Sequence, residues 1–288
     1  MISGQTKLCG LIGDPVAHSV SPMMHNAAFR ELGLNYIYLP FRVIPGELGK
    51  AIDGMRALKI RGLNVTIPHK VNVIPFLDDL DSLAEQIGAV NTIVNDDGFL
   101  TGYNTDATGF VRALEEKGVE LEGKEVAVLG AGGASRAISF ILAEKGAHLT
   151  ILNRLEELDW AQELAGRISP AFTREVPVFE LNRENLAMVL DRAEVLVNAT
   201  SVGMSPGSDV TPVAADLLKS DLVVFDVVYN PIKTRLLGEA AAAGATGIGG
   251  LNMLVWQGAL SFEMWTGEPA PVDLMKRQAT RLLAAQEG

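Results

Sequence analysis

From Lys124 onward short apolar runs recur at regular intervals, and this alternation restricts the fold more than any other feature of the chain. The runs EVAVLG, HLTILN, EVPVF, EVLVNA and LVVFDVV are apolar and β-branched, as strands covered on both faces of a parallel sheet must be. Segments of helical texture separate them, at 134–145, 156–168, 183–191, 213–218 and 233–243. Strict alternation of strand and helix predicts a doubly wound α/β domain over residues 107–249.

The first strand-to-helix junction of that domain reads VLGAGGASRA. Gly130 allows a tight turn, Gly132 and Gly133 let backbone approach a ligand closely, and the helix that follows presents unpaired N–H groups and the positive end of its dipole. A Rossmann-like dinucleotide site is therefore expected on Gly130, Ala131, Gly132, Gly133 and Ala134, although the position of the third glycine is Ser135. About twenty residues on, where such a site selects its cofactor, the second strand ends in Asn153 and Arg154. Arginine suits the 2′-phosphate of NADP. Glu156 and Glu157 follow at once and oppose a dianionic phosphate, so NAD stays possible; acidic residues there also suit a helix N-terminus.

With 288 residues, 48% of them hydrophobic and 20% charged, the chain can fill two moderate cores. The first is expected in an α/β substrate-binding domain over residues 1–106. The apolar helix GLNMLVWQGALSFEMWTG is too large for a tail, so residues 250–288 are expected to return and complete that domain. A net charge of -11 without a basic run argues against a nucleic-acid partner. No apolar run approaches the ~18 residues of a membrane span. A single cysteine, Cys9, rules out an internal disulfide, and no apolar signal segment opens the chain, so the expected home is the cytoplasm. Monomer and homodimer are not distinguished.

The first domain carries an unusual concentration of small polar groups. In NVTIPHK, Asn64 and Thr66 share one face of a strand, Val65 and Ile67 are expected in the core, and Pro68 ends pairing so that Lys70 can project into a cleft. In HSVSPMMHN, Ser21 reads as an N-cap and Pro22 as the first helical residue, and Ser19 and Ser21 together would also suit a carboxylate. His18 and His25 have no carboxylate or cysteine at ligand spacing, so no metal is expected. AVNTIVN and FLTGYN are joined by Asp96, Asp97 and Gly98, which predicts a hairpin. Asp106, just before a helix at 107–117, reads either as an N-cap or as a partner for Lys70.

Taken together, HSVSPMMHN, NVTIPHK, GAVNTI, GYNTDATGF, GAGGAS, NATSVGM, DVVYNP and GLNMLVWQGA resemble the shikimate dehydrogenase family in order and spacing, over essentially the whole chain. The resemblance implies reversible oxidation of the 3-hydroxyl of shikimate to 3-dehydroshikimate with NADP. It implies that Ser19 and Ser21 hold the carboxylate, and that Asn64, Thr66, Asn91, Tyr229 and Gln257 contact the ring and its hydroxyls. Lys70 and Asp106 match the catalytic pair. Gly130 to Ala134, Asn153 and Arg154 match the cofactor site, with Val227 and Gly250 near the nicotinamide. The chain departs from the family where Leu155, Glu156, Glu157 and Leu158 follow Asn-Arg, which resembles the quinate/shikimate branch that accepts NAD.

Taking hydride from a secondary alcohol leaves a developing alkoxide, which needs a proton acceptor or a cation beside it. Lys70 and Asp106 supply both, and which of them carries the proton is open. Two rival readings remain: a quinate/shikimate dehydrogenase using NAD, and a non-catalytic NAD(P)-responsive binding protein, which need not keep both members of that pair.

Overall fold

The computed structural model of the chain describes residues 2–287, which divide into two compact units. One comprises the chain up to Gly109 together with Val255–Gln286; the other comprises Phe110–Leu254.

The first unit is built on a mixed six-stranded sheet. Its strands are β1 (Lys7–Gly13), β2 (Tyr36–Arg42), β3 (Gly62–Val65), β4 (Asp79–Leu80), β5 (Thr92–Asp96) and β6 (Phe99–Tyr103), in the order β2-β1-β3-β5-β6-β4. The helices are α1 (Ser21–Glu31), α2 (Leu48–Ala57), α3 (Ser82–Ile87) and α4 (Thr105–Glu115), the last of which leads into the second unit. β1 runs parallel to both β2 and β3, whereas β5 is antiparallel to β3 and β6. The β5–β6 turn has positive φ at Asp97 (51°) and Gly98 (99°), the pair that a two-residue hairpin demands. Ile12, Ile52, Met55, Leu63, Val65 and Ile93 fill the core on one side of this sheet.

The second unit holds β7 (Glu125–Leu129), β8 (His148–Asn153), β9 (Val178–Glu180), β10 (Val195–Asn198), β11 (Val223–Asp226) and β12 (Thr246–Gly249), in the order β12-β11-β10-β7-β8-β9. Every pairing is parallel. From β7 the chain steps outward to β8 and β9, then crosses back to β10 and steps the other way, which is the doubly wound arrangement with its switch point between β7 and β10. Helices α5 (Gly133–Glu144), α6 (Leu158–Phe172), α7 (Arg183–Leu190) and α8 (Arg235–Ala242) make or follow the crossovers. Two elements are shorter than their sequence suggests. The helix expected at 213–218 is a single tight turn over Ala215–Leu217, and of EVPVF only Val178 and Phe179 enter a strand, β9, because Pro177 has no N–H to donate to the ladder.

Two helices close the chain: α9 (Leu251–Thr266) and α10 (Val272–Glu287). Within the first unit, Phe262 and Trp265 of α9 and Met275, Ala279 and Leu283 of α10 are buried. The Trp265 indole Nε1 donates to the carbonyl of Ile93 at 3.1 Å. A Cβ on residue 62 would lie 1.9 Å from that nitrogen, so β3 accepts the indole only because Gly62 has no side chain.

Candidate active site

β3 ends at Val65, and the loop that follows is fixed by backbone hydrogen bonds. Thr66 N–H donates to Ile12 (2.9 Å), Asp14 N–H to Ile67 (2.9 Å), and His69 N–H to Thr66 (2.9 Å). Side-chain alternation stops with the strand. Val65 is buried as expected, but Ile67, expected in the core, is 63% exposed. The buried His69 ring donates from Nε2 to the carbonyl of Val43 (2.6 Å), tying the loop to the residue after β2. Lys70 is thereby held with its ammonium 2.5 Å from Asp106 Oδ2; the two side chains are 15% and 7% exposed.

Asp106 is not the cap of its helix. Asn104 Oδ1 accepts from the N–H groups of Asp106 (3.1 Å) and Ala107 (3.3 Å), the capping geometry for α4. The carboxylate is left to accept from Lys70 at one oxygen and from Asn91 Nδ2 at the other (3.0 Å). Asn91 also donates to Thr105 Oγ1 (2.8 Å) and Gln257 Oε1 (3.2 Å). Asn64 accepts from the Tyr38 phenol (2.8 Å) and donates to Ser261 (2.9 Å) and Thr92 (3.1 Å). Lys70, Asp106, Asn64, Asn91 and Gln257 therefore form one hydrogen-bonded array in the first unit. Tyr38, Thr92, Asn104, Thr105 and Ser261 belong to it as well, and of these Tyr38 and Ser261 lie outside every family motif.

Ser19, Ser21 and Thr66 lie in the same unit, outside this array. α1 begins at Ser21 itself rather than after it, with Val20 at the cap position, and Ser21 makes no capping bond; instead its N–H donates to the Ser19 hydroxyl (3.2 Å). Pro22 occupies the first turn, where its missing N–H costs nothing. His25 on this helix is wholly buried, stacked on Tyr38 with ring centroids 4.4 Å apart. Burial pushes its pKa down to about 3, and neither ring nitrogen has a hydrogen-bond partner among the described residues. It is a neutral core residue.

In the second unit the glycine turn joins β7 to α5 at the switch point. Gly130 has φ 98°, and a Cβ there would lie 2.9 Å from Thr200 Cγ2 beyond β10. Ser135, in place of a third glycine, is buried and donates its hydroxyl to the Gly130 carbonyl (2.6 Å), bracing the turn. Gly132 is the N-cap of α5 and offers no capping side chain; the helical ladder starts with Arg136 N–H on the Gly132 carbonyl (2.9 Å). The N–H groups of Gly133 and Ala134 precede it, and a Cβ on Gly132 would meet nothing within 4 Å. Free donors beside open space suit a diphosphate. Ala131, in the turn, is buried.

Asn153 at the end of β8 donates to the Glu157 carbonyl (2.6 Å). Arg154 is exposed and its guanidinium is ion-paired with the Glu157 carboxylate, which that bond holds below the usual carboxylate range. Val227 N–H donates to Asn198 (3.0 Å), and a Cβ on Gly250 would lie 2.2 Å from the Val227 carbonyl, so only glycine fits there. Tyr229 is half-buried, and burial raises its phenol pKa.

An all-parallel doubly wound sheet with a glycine turn at its switch point, in a chain that also buries a lysine–aspartate pair, defines a dinucleotide-dependent oxidoreductase. Comparison with known proteins narrows that class. Residues 11–93 match the family model of the shikimate dehydrogenase substrate binding domain, and residues 250–280 match that of the shikimate 5'-dehydrogenase C-terminal domain. A shikimate dehydrogenase (NADP(+)) of Dehalococcoides mccartyi is 48% identical over 280 residues, covering 97% of each chain. A solved shikimate dehydrogenase in complex with NADP+ superimposes with a TM-score of 0.91 at 44% identity, over 98% of this chain and 97% of the other. The shikimate 5-dehydrogenase of Listeria monocytogenes, solved with shikimate and NAD, gives 0.89 at 44% identity, over 96% and 97%. The chain belongs to the shikimate dehydrogenase family.

Proposed function

We propose that this protein catalyses the reversible NADP-dependent oxidation of shikimate to 3-dehydroshikimate, a step of aromatic amino-acid biosynthesis. The observation that carries the proposal is the Lys70–Asp106 pair, 2.5 Å apart and largely removed from solvent in a unit rich in amides and hydroxyls. When bound, NADP takes the hydride. The pair exchanges the proton of the reacting hydroxyl and stabilises the oxygen as charge develops on it. Asn91, already hydrogen-bonded to Asp106, holds the carboxylate toward Lys70 and, with Asn64, Thr66, Tyr229 and Gln257, contacts the ring and its hydroxyls. Ser19 and Ser21, at the start of α1, take the carboxylate.

In this reading residues 1–106 with 250–288 bind substrate and residues 107–249 bind the dinucleotide. Gly130, Ala131, Gly132, Gly133 and Ala134 cradle the diphosphate, Asn153 and Arg154 meet the adenosine end, and Val227 and Gly250 border the nicotinamide. The single cysteine, buried, suits a cytoplasmic enzyme, working as a monomer or homodimer.

The test is a matrix of kcat/KM for shikimate and quinate against NADP and NAD. The highest value is expected for shikimate with NADP; absence of nicotinamide reduction with every pair overturns the proposal. One observation favours a second reading, use of NAD: Arg154, the group suited to the 2′-phosphate, is already engaged by Glu157.

A further inference from the structure

We infer that Thr92 and Ser261 are positioning residues for the reaction: with the Asn91 backbone carbonyl, their hydroxyls hold the Asn64 amide one way round, and Ser261 ties it to α9 at Gln257. The inference rests on the function proposed above; Thr92 lies within GAVNTI but has no role assigned there, and Ser261 lies outside every family motif.

A side-chain amide has nearly the same shape either way round, so packing does not choose between its oxygen and its nitrogen. Only the donor or acceptor character of its neighbours does. Tyr38, 2.8 Å from Asn64 Oδ1, cannot decide, since a phenol both donates and accepts. Ser261 can. Its hydrogen goes to the carbonyl of Gln257, four residues back on α9 (2.9 Å), so its oxygen is left to accept. Asn64 must then turn Nδ2 toward Ser261 (2.9 Å), and Thr92 must direct its own hydroxyl hydrogen there (2.8 Å). With that hydrogen committed, Thr92 Oγ1 accepts from Asn64 Nδ2 as well (3.1 Å). Asn64 Oδ1 is left for the Tyr38 hydroxyl.

The Asn91 amide is set from the opposite end. The backbone N–H of Thr105 can only donate and takes Asn91 Oδ1 at 2.7 Å, which leaves Nδ2 for Asp106, Thr105 Oγ1 and Gln257. The Asn91 backbone carbonyl that faces Asn64 Nδ2 joins the two residues directly. Thr92 and Ser261 are 0% exposed, Asn91 2% and Asn64 5%. In such surroundings each hydrogen bond is strong and each unpaired group is costly, so loss of one hydroxyl redistributes the rest. Without the Thr92 hydroxyl, Asn64 has one acceptor fewer on its nitrogen side, and Ser261 loses the hydrogen directed at it.

Two substitutions at one position separate positioning from packing. Thr92→Val keeps the shape and removes the hydroxyl; Thr92→Ser keeps the hydroxyl and removes a methyl. Thr92→Val is expected to lower kcat/KM for shikimate about tenfold with KM for NADP unchanged, and Thr92→Ser to stay near the parent. The inference is overturned if Thr92→Val remains within about twofold of the parent well below its melting temperature, or if Thr92→Ser is equally impaired. A substrate-free measurement keeps this separate from the function itself. The 15N side-chain amide signals of Asn64 and Asn91 in the full chain should shift in Thr92→Val and hold in Thr92→Ser. A parent with no shikimate turnover refutes the proposed function, and amide signals unmoved in Thr92→Val refute the array.

Discussion

Lys70 and His25 show how differently two cationic side chain types are treated in one unit. Lys70 meets a carboxylate at 2.5 Å, and under the proposed function replacing it removes the cation beside the oxygen on which charge develops. Lys70→Ala is expected to reduce kcat by about 10² or more with KM for shikimate little changed, measured by steady-state kinetics; turnover retained at the parental rate would take Lys70 out of the chemistry. His25 has no such partner and stays neutral in the fold with a pKa of about 3. Below pH ~6.5 the unfolded chain binds a proton there that the folded chain refuses. Its contribution to stability is therefore complete above that pH and declines on acidification, by up to about 1.4 kcal/mol per pH unit, until pH nears the folded value. Phenylalanine fits among Phe29, Tyr38 and Phe262 and cannot titrate. His25→Phe should flatten the dependence of unfolding free energy on pH between 6.5 and 3, as read by urea titration at several pH values.

At the level of elements, the proposed function gives the turn after β8 the selection of cofactor. Arg154 and Glu157 lie three residues apart on a tight turn, and an exposed pair of this kind is held only weakly. Glu157→Gln frees the guanidinium and removes a charge that opposes a 2′-phosphate. The ratio of kcat/KM with NADP to that with NAD should rise about fivefold, and an unchanged ratio would show that Glu157 does not restrain Arg154. This turn was legible in the sequence because its residues are adjacent. So was the doubly wound sheet, whose strands are apolar on both faces, and the Asp-Gly hairpin, whose backbone needs positive φ. The polar array was only half legible. Thr92 looks like any β-branched residue in a strand, and Ser261 like a small filler in an apolar helix. Their partners come from β3, α4 and the loops before β5, which no local pattern brings together. Asp106 was read as a possible cap since aspartate favours that position; Asn104 has the same chemistry two residues earlier and takes it. Ile67 was placed inside on the assumption that its strand continued, but the ladder ends two residues before it.

For the molecule as a whole, the distribution of the first core along the chain governs stability. Trp265, Phe262, Met275 and Leu283 are among its buried side chains, and Trp265 fills the space left open at Gly62. A chain ending at Leu254 lacks all four. It should leave residues up to Gly109 open to protease and to amide exchange while Phe110–Leu254 stays protected, as hydrogen-exchange mass spectrometry would show. Equal protection of the two parts would mean that the first sheet folds without α9 and α10. The same arrangement imposes an order of events during synthesis. Lys70 and Asp106 leave the ribosome early, yet Ser261 and the indole that seals β3 emerge only after the entire dinucleotide-type sheet has been made. For most of its translation the nascent chain carries Lys70 and Asp106 in an unfinished half, which is completed only once the final two helices have been delivered.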